Sequence, residues 1–257
     1  MSPVRMRVRA PIAPLMAMPR MDAMQVTQAL FGEVIEVLDA KNGWLHARME
    51  RDGYEGHVRA DDLMEDDGET ATHTPLVPRT LVFPAADIKA APARPLFMGA
   101  QLRIREWTGG FARLAEGGHV WAAHLRALDA PSQTPVEIAR MFLHVPYLWG
   151  GCTSAGIDCS GLVQTALRMA GHGSVPRDSG DQAQKLGAPL PPSLARAGRL
   201  RAGDLIFWKG HVAMMVDDAR IIHANGHHMR VAMEPLKEAL ARIEAGGGGP
   251  VSAIRRP

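Results

Sequence analysis

The sequence predicts an α+β chain in which short β-strands fill the first half and a helix followed by an antiparallel sheet fills the second. Three observations carry this. A strand-and-turn pattern recurs between Leu30 and Leu128, the pattern changes near Asp129, and beyond it helix-spaced apolar residues give way to strands. With 257 residues, 46% hydrophobic and 22% charged, the chain has length for two or three domains with buried cores. Its 29 Lys and Arg against 27 Asp and Glu, net +2 with no long basic run, leave no electrostatic footprint for nucleic acid. The opening stretch is basic and methionine-rich, but Pro3, Pro11, Pro14 and Pro19 interrupt every apolar run, so no signal-peptide core is legible. No uncharged apolar segment approaches the roughly 18 residues of a membrane span. A soluble, cytoplasmic protein with no membrane partner is the expectation. Two cysteines make no disulfide framework for a chain of this size.

The recurrence lies between Leu30–Leu63 and Leu96–Leu128. Each copy has Leu-Phe, then an alternating strand (Val34, Ile35 and Val37; Leu102 and Ile104), then Gly-aromatic with Ala-Arg, then Gly-His-Val. An offset of roughly 62 to 66 residues implies a duplicated module of about 60 residues, and the strand-rich, helix-poor pattern reads as a pair of small SH3-like β-barrels. Between them EDDGETATHTPLVPRT, residues 65–80, is acidic and then rich in Thr and Pro, and reads as a linker. A second boundary falls in DAPSQTPVE, residues 129–137. The expected domains are 1–68, 69–130 and 131–257.

Past that boundary Thr134, Pro135 and Glu137 have the spacing of a capping box with proline in the first turn, opening a short helix VEIARMFLH. SGLVQTALRMAG places Leu162, Val163, Ala166, Leu167 and Ala170 at helical spacing and stops at Gly171. GDLIFWKGHVAMMVDDARIIHANG reads as strands with a turn at Asp217-Asp218-Ala219. EPLKEALARIEAGGGG is a helix ended by glycines, and VSAIRRP a last strand.

Chemistry gathers at Cys159. If Asp158 caps the following helix, the thiol lies in its first turn, where unpaired N–H groups and the helix dipole favour a thiolate, lower the pKa and supply donors for an oxyanion. The alternative is a small buried apolar residue. A thiol nucleophile needs an imidazole, held in turn by a third group. With the turn centred near Asp218, His223 falls opposite residue 213 or 214, so His211 and His223 are direct or diagonal neighbours on one face. His46, His57, His119, His124, His144 and His172 read as structural. Gly150 and Gly151 permit a tight backbone path, and Cys152 reads as loop packing rather than a disulfide partner of Cys159. A metal site at His223, His227 and His228 is the alternative use of these rings, but no cysteine or carboxylate stands at a recognisable ligand spacing nearby, and no metal or cofactor is expected.

In order, YLWGGCTSAGIDCSGLVQ, PRDSGDQA, GDLIFWKGHVAMMV and RIIHANG resemble the motifs of the NlpC family of papain-like cysteine peptidases, which cleave bacterial cell-wall peptides. The resemblance runs from about Pro135 to the C-terminus. It implies a papain-like fold with Cys159 as nucleophile, His211 as base, His223 orienting that base, and Tyr147 lining the site and assisting the oxyanion. With two SH3-like modules in front, the chain is similar to the murein-recycling γ-D-glutamyl-L-diamino acid peptidases, which take peptides with a free N-terminal L-Ala and cut after D-Glu through a thioester. That similarity implies that the first barrel closes one end of the cleft, with Glu33 and Tyr54 meeting the substrate ammonium. It also implies that Asp158, Ser160, Asp178 and Ser179 bind the peptide; Arg177, beside them, is read as meeting a substrate carboxylate, and Trp149 as a wall of the pocket rather than a chemical participant. Competing readings make Glu33 an exposed strand carboxylate, Tyr54 a barrel-packing aromatic and Asp178 a helix cap. His57 departs from the tryptophan the family often has at that position. A wall-binding protein with a silent peptidase fold and a thiol-dependent acyl or amide transferase stay open as alternatives.

Overall fold

A computed structural model gives the structure over residues 4–130 and 133–257. The chain divides into two units, 1–131 and 132–257. Pro3 and the boundary expected between residues 130 and 131, where Pro131 and Ser132 stand, lie outside the described residues.

In the first unit, strands β1 (Val4–Val8), β2 (Ile12–Met16), β3 (Gln25–Leu30), β4 (Val34–Lys41), β5 (Trp44–Met49), β6 (Glu55–Arg59) and β7 (Leu63–Glu65) form one antiparallel sheet in the order β3-β2-β6-β5-β4-β1-β7. Asn42 and Gly43, both at positive φ, make the two-residue turn of the β4–β5 hairpin, closed by the Lys41–Trp44 pair. The second module repeats the plan with β8 (His73–Pro75), β9 (Arg79–Phe83), β10 (Arg94–Phe97), β11 (Ile104–Thr108), β12 (Phe111–Leu114), β13 (His119–Trp121) and β14 (Leu125–Ala127). Its sheet runs β10-β9-β13-β12-β11, and β14 pairs with β8. Gly109 and Gly110 turn β11 into β12 as Asn42 and Gly43 turn β4 into β5. A single 3-10 turn precedes the last strand of each module, at 60–62 and at 122–124. The duplication is thus visible turn by turn. Val8, Leu15, Ile35, Met49 and Val58 fill the first core; Phe31, Val82, Leu96, Leu102, Leu114 and Val120 fill the second. The 65–80 segment is not a plain linker: it contains β8 and the start of β9, because residues 73–75 find their partner in β14, far along the chain.

In the second unit α1 (Pro135–Met141) begins with the expected reciprocal cap, Thr134 bonding Glu137 N–H and the Glu137 carboxylate accepting Thr134 N–H at 2.8 Å. A small ribbon follows, β15 (Cys152–Thr153) and β16 (Gly156–Ile157), then α2 (Cys159–Met169) and α3 (Ser179–Lys185). Then come β17 (Ala188–Leu190), α4 (Leu194–Ala197), β18 (Leu205–Trp208), β19 (His211–Met215), β20 (Arg220–Asn225), β21 (Arg230–Pro235), α5 (Leu236–Ala245) and β22 (Ala253–Arg256). The sheet order is β17-β22-β18-β19-β20-β21, antiparallel throughout, so the last strand enters between β17 and β18. Ile206, Trp208, Ala213, Met215 and Ile221 pack with α5 residues Leu236, Ala239 and Leu240. The alternate residues Leu205, Phe207, Val212, Met214 and Ile222 are equally buried, and α2 packs against β19 and β20. A sheet covered on both faces holds the strand that carries His211 rigidly against the helix that carries Cys159. Among the described residues no helix is long and apolar enough to cross a membrane.

Candidate active site

Cys159 is the first residue of α2, and Asp158 is its N-cap, accepting Gly161 N–H at 2.7 Å. The same carboxylate accepts Gly150 N–H at 2.8 Å, so one side chain ties the glycine loop to the helix start. Gly161 allows this closeness: a Cβ there would lie 2.2 Å from the Gly151 carbonyl oxygen, and a Cβ on Gly151 would lie 2.4 Å from that of Gly156. The tight path expected at Gly150 and Gly151 is therefore a close approach of three backbone segments.

Beneath the loop lies Arg177. Its guanidinium grips Asp158 with Nη1 at 3.0 Å and Nη2 at 2.6 Å, and Nη1 also donates to Ser160 Oγ at 2.8 Å. Burial disfavours its charge, yet the neighbouring Cys152 and Asp158 hold its pKa above the ordinary value. Arg177 is 2% exposed, so where the sequence suggested a residue that meets a substrate carboxylate, the structure has one that meets Asp158. Ser160 is buried in the same network, bonded to Asp158 Oδ1 at 3.3 Å. Asp178 is exposed at the N-cap position of α3, where its side chain does not close the cap; Ser179 opens that helix. Trp149 is well exposed on the loop before the ribbon. Cys152 and Cys159 are both buried thiols.

The backbone N–H groups of Val212, in β19 beside His211 in sequence, and of Ser160 lie near enough to the Cys159 sulfur to favour its anion. The expected depression of the thiol pKa is overturned. Burial comes first and the Asp158 charge second, and together they push it up to about 11 against the lowering by those N–H groups and Arg177. The helix N-terminus does supply donors, but a thiol only 7% exposed has lost more hydration than two N–H groups return. Tyr147, half-buried, is bridged to Ile157. Burial, then the neighbouring Cys159 and Asp158, raise its phenol to about 12, so it is a neutral O–H donor beside the sulfur.

His211 and His223 meet as the hairpin register requires. Met214 pairs with Ile222, which sets His223 opposite Ala213 and diagonal to His211, and His211 Nε2 and His223 Nδ1 are 2.8 Å apart. Burial first, then the nearby His223 and Arg242, lower the His211 pKa to about 3, so the ring is neutral at rest. The same diagonal step continues onto β21. His223 pairs with Ala232, and the Nε2 of His223 lies 2.6 Å from Glu234 Oε1. Glu234 is also bonded by Arg242 of α5. Burial raises the carboxyl pKa, but the hydrogen bonds from His223 and Arg242 win and hold it at about 2. Sequence reading missed Glu234. Only the three-strand register, with its period of two, brings residues 211, 223 and 234 onto one face.

Glu234 also bears on the expectation that no carboxylate stands at a recognisable ligand spacing from the histidines: 11 residues along from His223, it is brought to them by the fold. The ligand atoms of His223, His228 and Glu234 lie within 4.8 Å of one another. His227 instead stacks edge-on against His228 at a centroid distance of 4.7 Å. The donor set is already committed: Glu234 bonds His223 and the cationic Arg242, and His228 Nδ1 lies 3.0 Å from Asn225 Oδ1.

In the first unit, Glu33 is 1% exposed, not a surface strand carboxylate. It accepts Leu30 N–H at 2.9 Å and Arg51 Nη1 at 2.5 Å, while Arg51 also bonds Asp52 at 3.2 Å. Tyr54 packs against the core of the first module. His57 is half-buried on β6 with its ring 5.0 Å from that of His46.

Comparison with known proteins fits this geometry. The NlpC/P60 family profile matches residues 144–243, and the profile described as bacterial dipeptidyl-peptidase Sh3 domain matches residues 15–63. The chain is 30% identical over 244 residues to a γ-D-glutamyl-L-lysine dipeptidyl-peptidase of Bacillus cereus, covering 82% of this chain and 70% of that protein. It is 27% identical to dipeptidyl-peptidase 6 of Lysinibacillus sphaericus, covering 85% and 86%. The crystal structure of an NlpC/P60 family protein from Bacillus cereus has the same fold, with a TM-score of 0.79, 21% identity, and coverage of 98% of this chain and 99% of that one. The profile spans Cys159, His211, His223 and Glu234 alike, and the relative from Bacillus cereus extends the likeness over 82% of the chain. The chain belongs to the NlpC/P60 family of cysteine peptidases.

Proposed function

We propose that this protein hydrolyses the bond between γ-D-glutamate and the following diamino acid in murein peptides that begin with a free L-Ala. One observation carries the chemistry: a thiol at the mouth of α2 lies close enough to the Val212 N–H to be influenced by it, and the residue before Val212 begins a bonded pair of imidazoles. Cys159 is the nucleophile, His211 the base and His223 its holder. In the resting state the thiol is held near 11 and the imidazole near 3, so neither ionises alone. Moving the proton from sulfur to His211 creates both charges together, and their attraction in a dry site offsets the burial that each resists singly. The thiolate attacks the γ-amide carbonyl. The Cys159 N–H in the first turn of α2 and the Tyr147 hydroxyl hold the oxyanion. His211 then protonates the leaving amine, and water activated by the same ring hydrolyses the thioester.

The substrate assignment is supported by the relatives named dipeptidyl-peptidases, since an enzyme that releases dipeptides measures from a chain end. In the first unit two carboxylates, Glu33 and Asp52, share the Arg51 guanidinium, an acidic setting of the kind an ammonium seeks, with Tyr54 nearby in sequence. We assign the ammonium contact to Glu33 and Tyr54, peptide contacts to Asp178, Ser179 and Trp149, and a cytoplasmic role in recycling peptides released from the wall. The test is mass spectrometry of products from L-Ala-γ-D-Glu-diaminopimelate and from its N-acetylated twin. Cleavage of the free peptide after D-Glu, with loss of cleavage on acetylation, is expected; equal cleavage of both removes the ammonium requirement. Cell fractionation checks the compartment.

A further inference from the structure

We propose that Glu234 is a positioning residue that fixes the tautomers of both imidazoles and thereby selects Nδ1 of His211 as the proton acceptor; this rests on His211 being the base. An ionised carboxylate only accepts hydrogen bonds. With Glu234 Oε1 2.6 Å from His223 Nε2, the His223 proton sits on Nε2. A neutral imidazole has one N–H, so His223 Nδ1 keeps its lone pair. The atom facing it at 2.8 Å is His211 Nε2, which must therefore donate. That places the single proton of His211 on Nε2 and leaves its Nδ1 as the basic atom. The reverse arrangement, with His223 donating from Nδ1, would set two lone-pair acceptors against each other at the Glu234 contact. Arg242 already answers the Glu234 charge, so a single N–H from His223 completes the contacts of Oε1.

The groups facing this chain of hydrogen bonds are Arg242 from α5 and His228 from the turn after β20; Asp158, Arg177 and Tyr147 face the thiol. In the reaction one proton passes from Sγ to His211 Nδ1, and nothing is oxidised or reduced. The imidazolium formed then donates from Nε2 into His223, whose own N–H leans on the carboxylate. Each contact in the row thus strengthens as charge develops on His211.

The test begins with the full-length wild-type protein labelled with ¹⁵N in its histidines. Long-range ¹H–¹⁵N spectra are expected to show His211 and His223 both protonated on Nε2. Glu234 Oε1 accepts from both His223 Nε2 and Arg242, so Glu234→Gln, which can keep an oxygen there, should retain the tautomers and most of the activity, whereas Glu234→Leu removes the acceptor. In the Leu variant nothing holds the His223 proton on Nε2, both rings populate the other tautomer, and His211 carries its proton in part on the atom that should accept. Its kcat on the cleaved peptide falls by about 10-fold or more with KM nearly unchanged. Alkylation of Cys159 by iodoacetamide, located by tandem mass spectrometry, slows over the pH range in which the wild type reacts. Because the spectra and the alkylation need no substrate, a wild type that ignores the murein peptide would count against the substrate assignment alone. A wild-type His211 protonated on Nδ1, or a folded Glu234→Leu protein with unchanged tautomers and kcat within about threefold, overturns the proposal.

Discussion

Replacing Arg177 with Met separates two roles that the same residue type can play. Met keeps the aliphatic bulk and removes the guanidinium, so Asp158, buried beside it, loses both of its Arg177 bonds at 3.0 and 2.6 Å, while Ser160 Oγ loses its 2.8 Å donor. Two backbone donors, Gly150 N–H and Gly161 N–H, continue to hold the carboxylate. Removing one partner of a buried ion pair costs about 3–5 kcal/mol, most of it the penalty of the stranded charge. For a unit the size of the peptidase half, that is a fall in melting temperature of roughly 10–20 °C. Differential scanning calorimetry of the full chain reads it directly. Adding Asp158→Asn to Arg177→Met should return part of the loss, because the stranded charge goes with it. If Arg177 instead met a substrate carboxylate, the variant would raise KM and leave the melt in place. A transition within about 2 °C of the wild type, with a raised KM, would refute the structural role of Arg177.

Cys159→Ala abolishes peptide hydrolysis while circular dichroism and the melt stay near wild type, since the side chain lost is small and already neutral at rest. Gly161→Ala drives a methyl group to within 2.2 Å of the Gly151 carbonyl, so it should dislodge the loop, and its loss of kcat should exceed that expected from helix propensity, which favours Ala. Acid stability follows His211: its pKa is depressed to about 3 from 6.5, so it contributes stability that is full above 6.5 and is lost as pH falls through about 3. His211→Gln should flatten the fall in stability between those limits, as read by urea titration at a series of pH values. EDTA should leave turnover unchanged whereas iodoacetamide abolishes it, because His223 and Glu234 are committed to each other and to Arg242; loss of activity with EDTA alone would reverse that reading.

Residues that act on near neighbours were legible in the chain itself. Thr134, Pro135 and Glu137 spell a cap, Asp158 caps α2, and the turn at Asp217, whose Oδ1 accepts the Ala219 and Arg220 N–H groups at 2.9 and 2.7 Å, sets the parity that pairs His211 with His223. The duplicated module showed for the same reason, since each copy repeats its own turns. What needed the tertiary structure was everything decided by distant segments. β8 is a strand only because β14 comes back to it. Glu234 joins the histidines only once three strands are in register, and Arg177 becomes a structural cation only because Asp158 is buried beneath the same loop. The thiol makes the point most plainly: position in a helix is a local property and argued for a thiolate, whereas desolvation sums over every segment packed around the sulfur, and that sum raised its pKa.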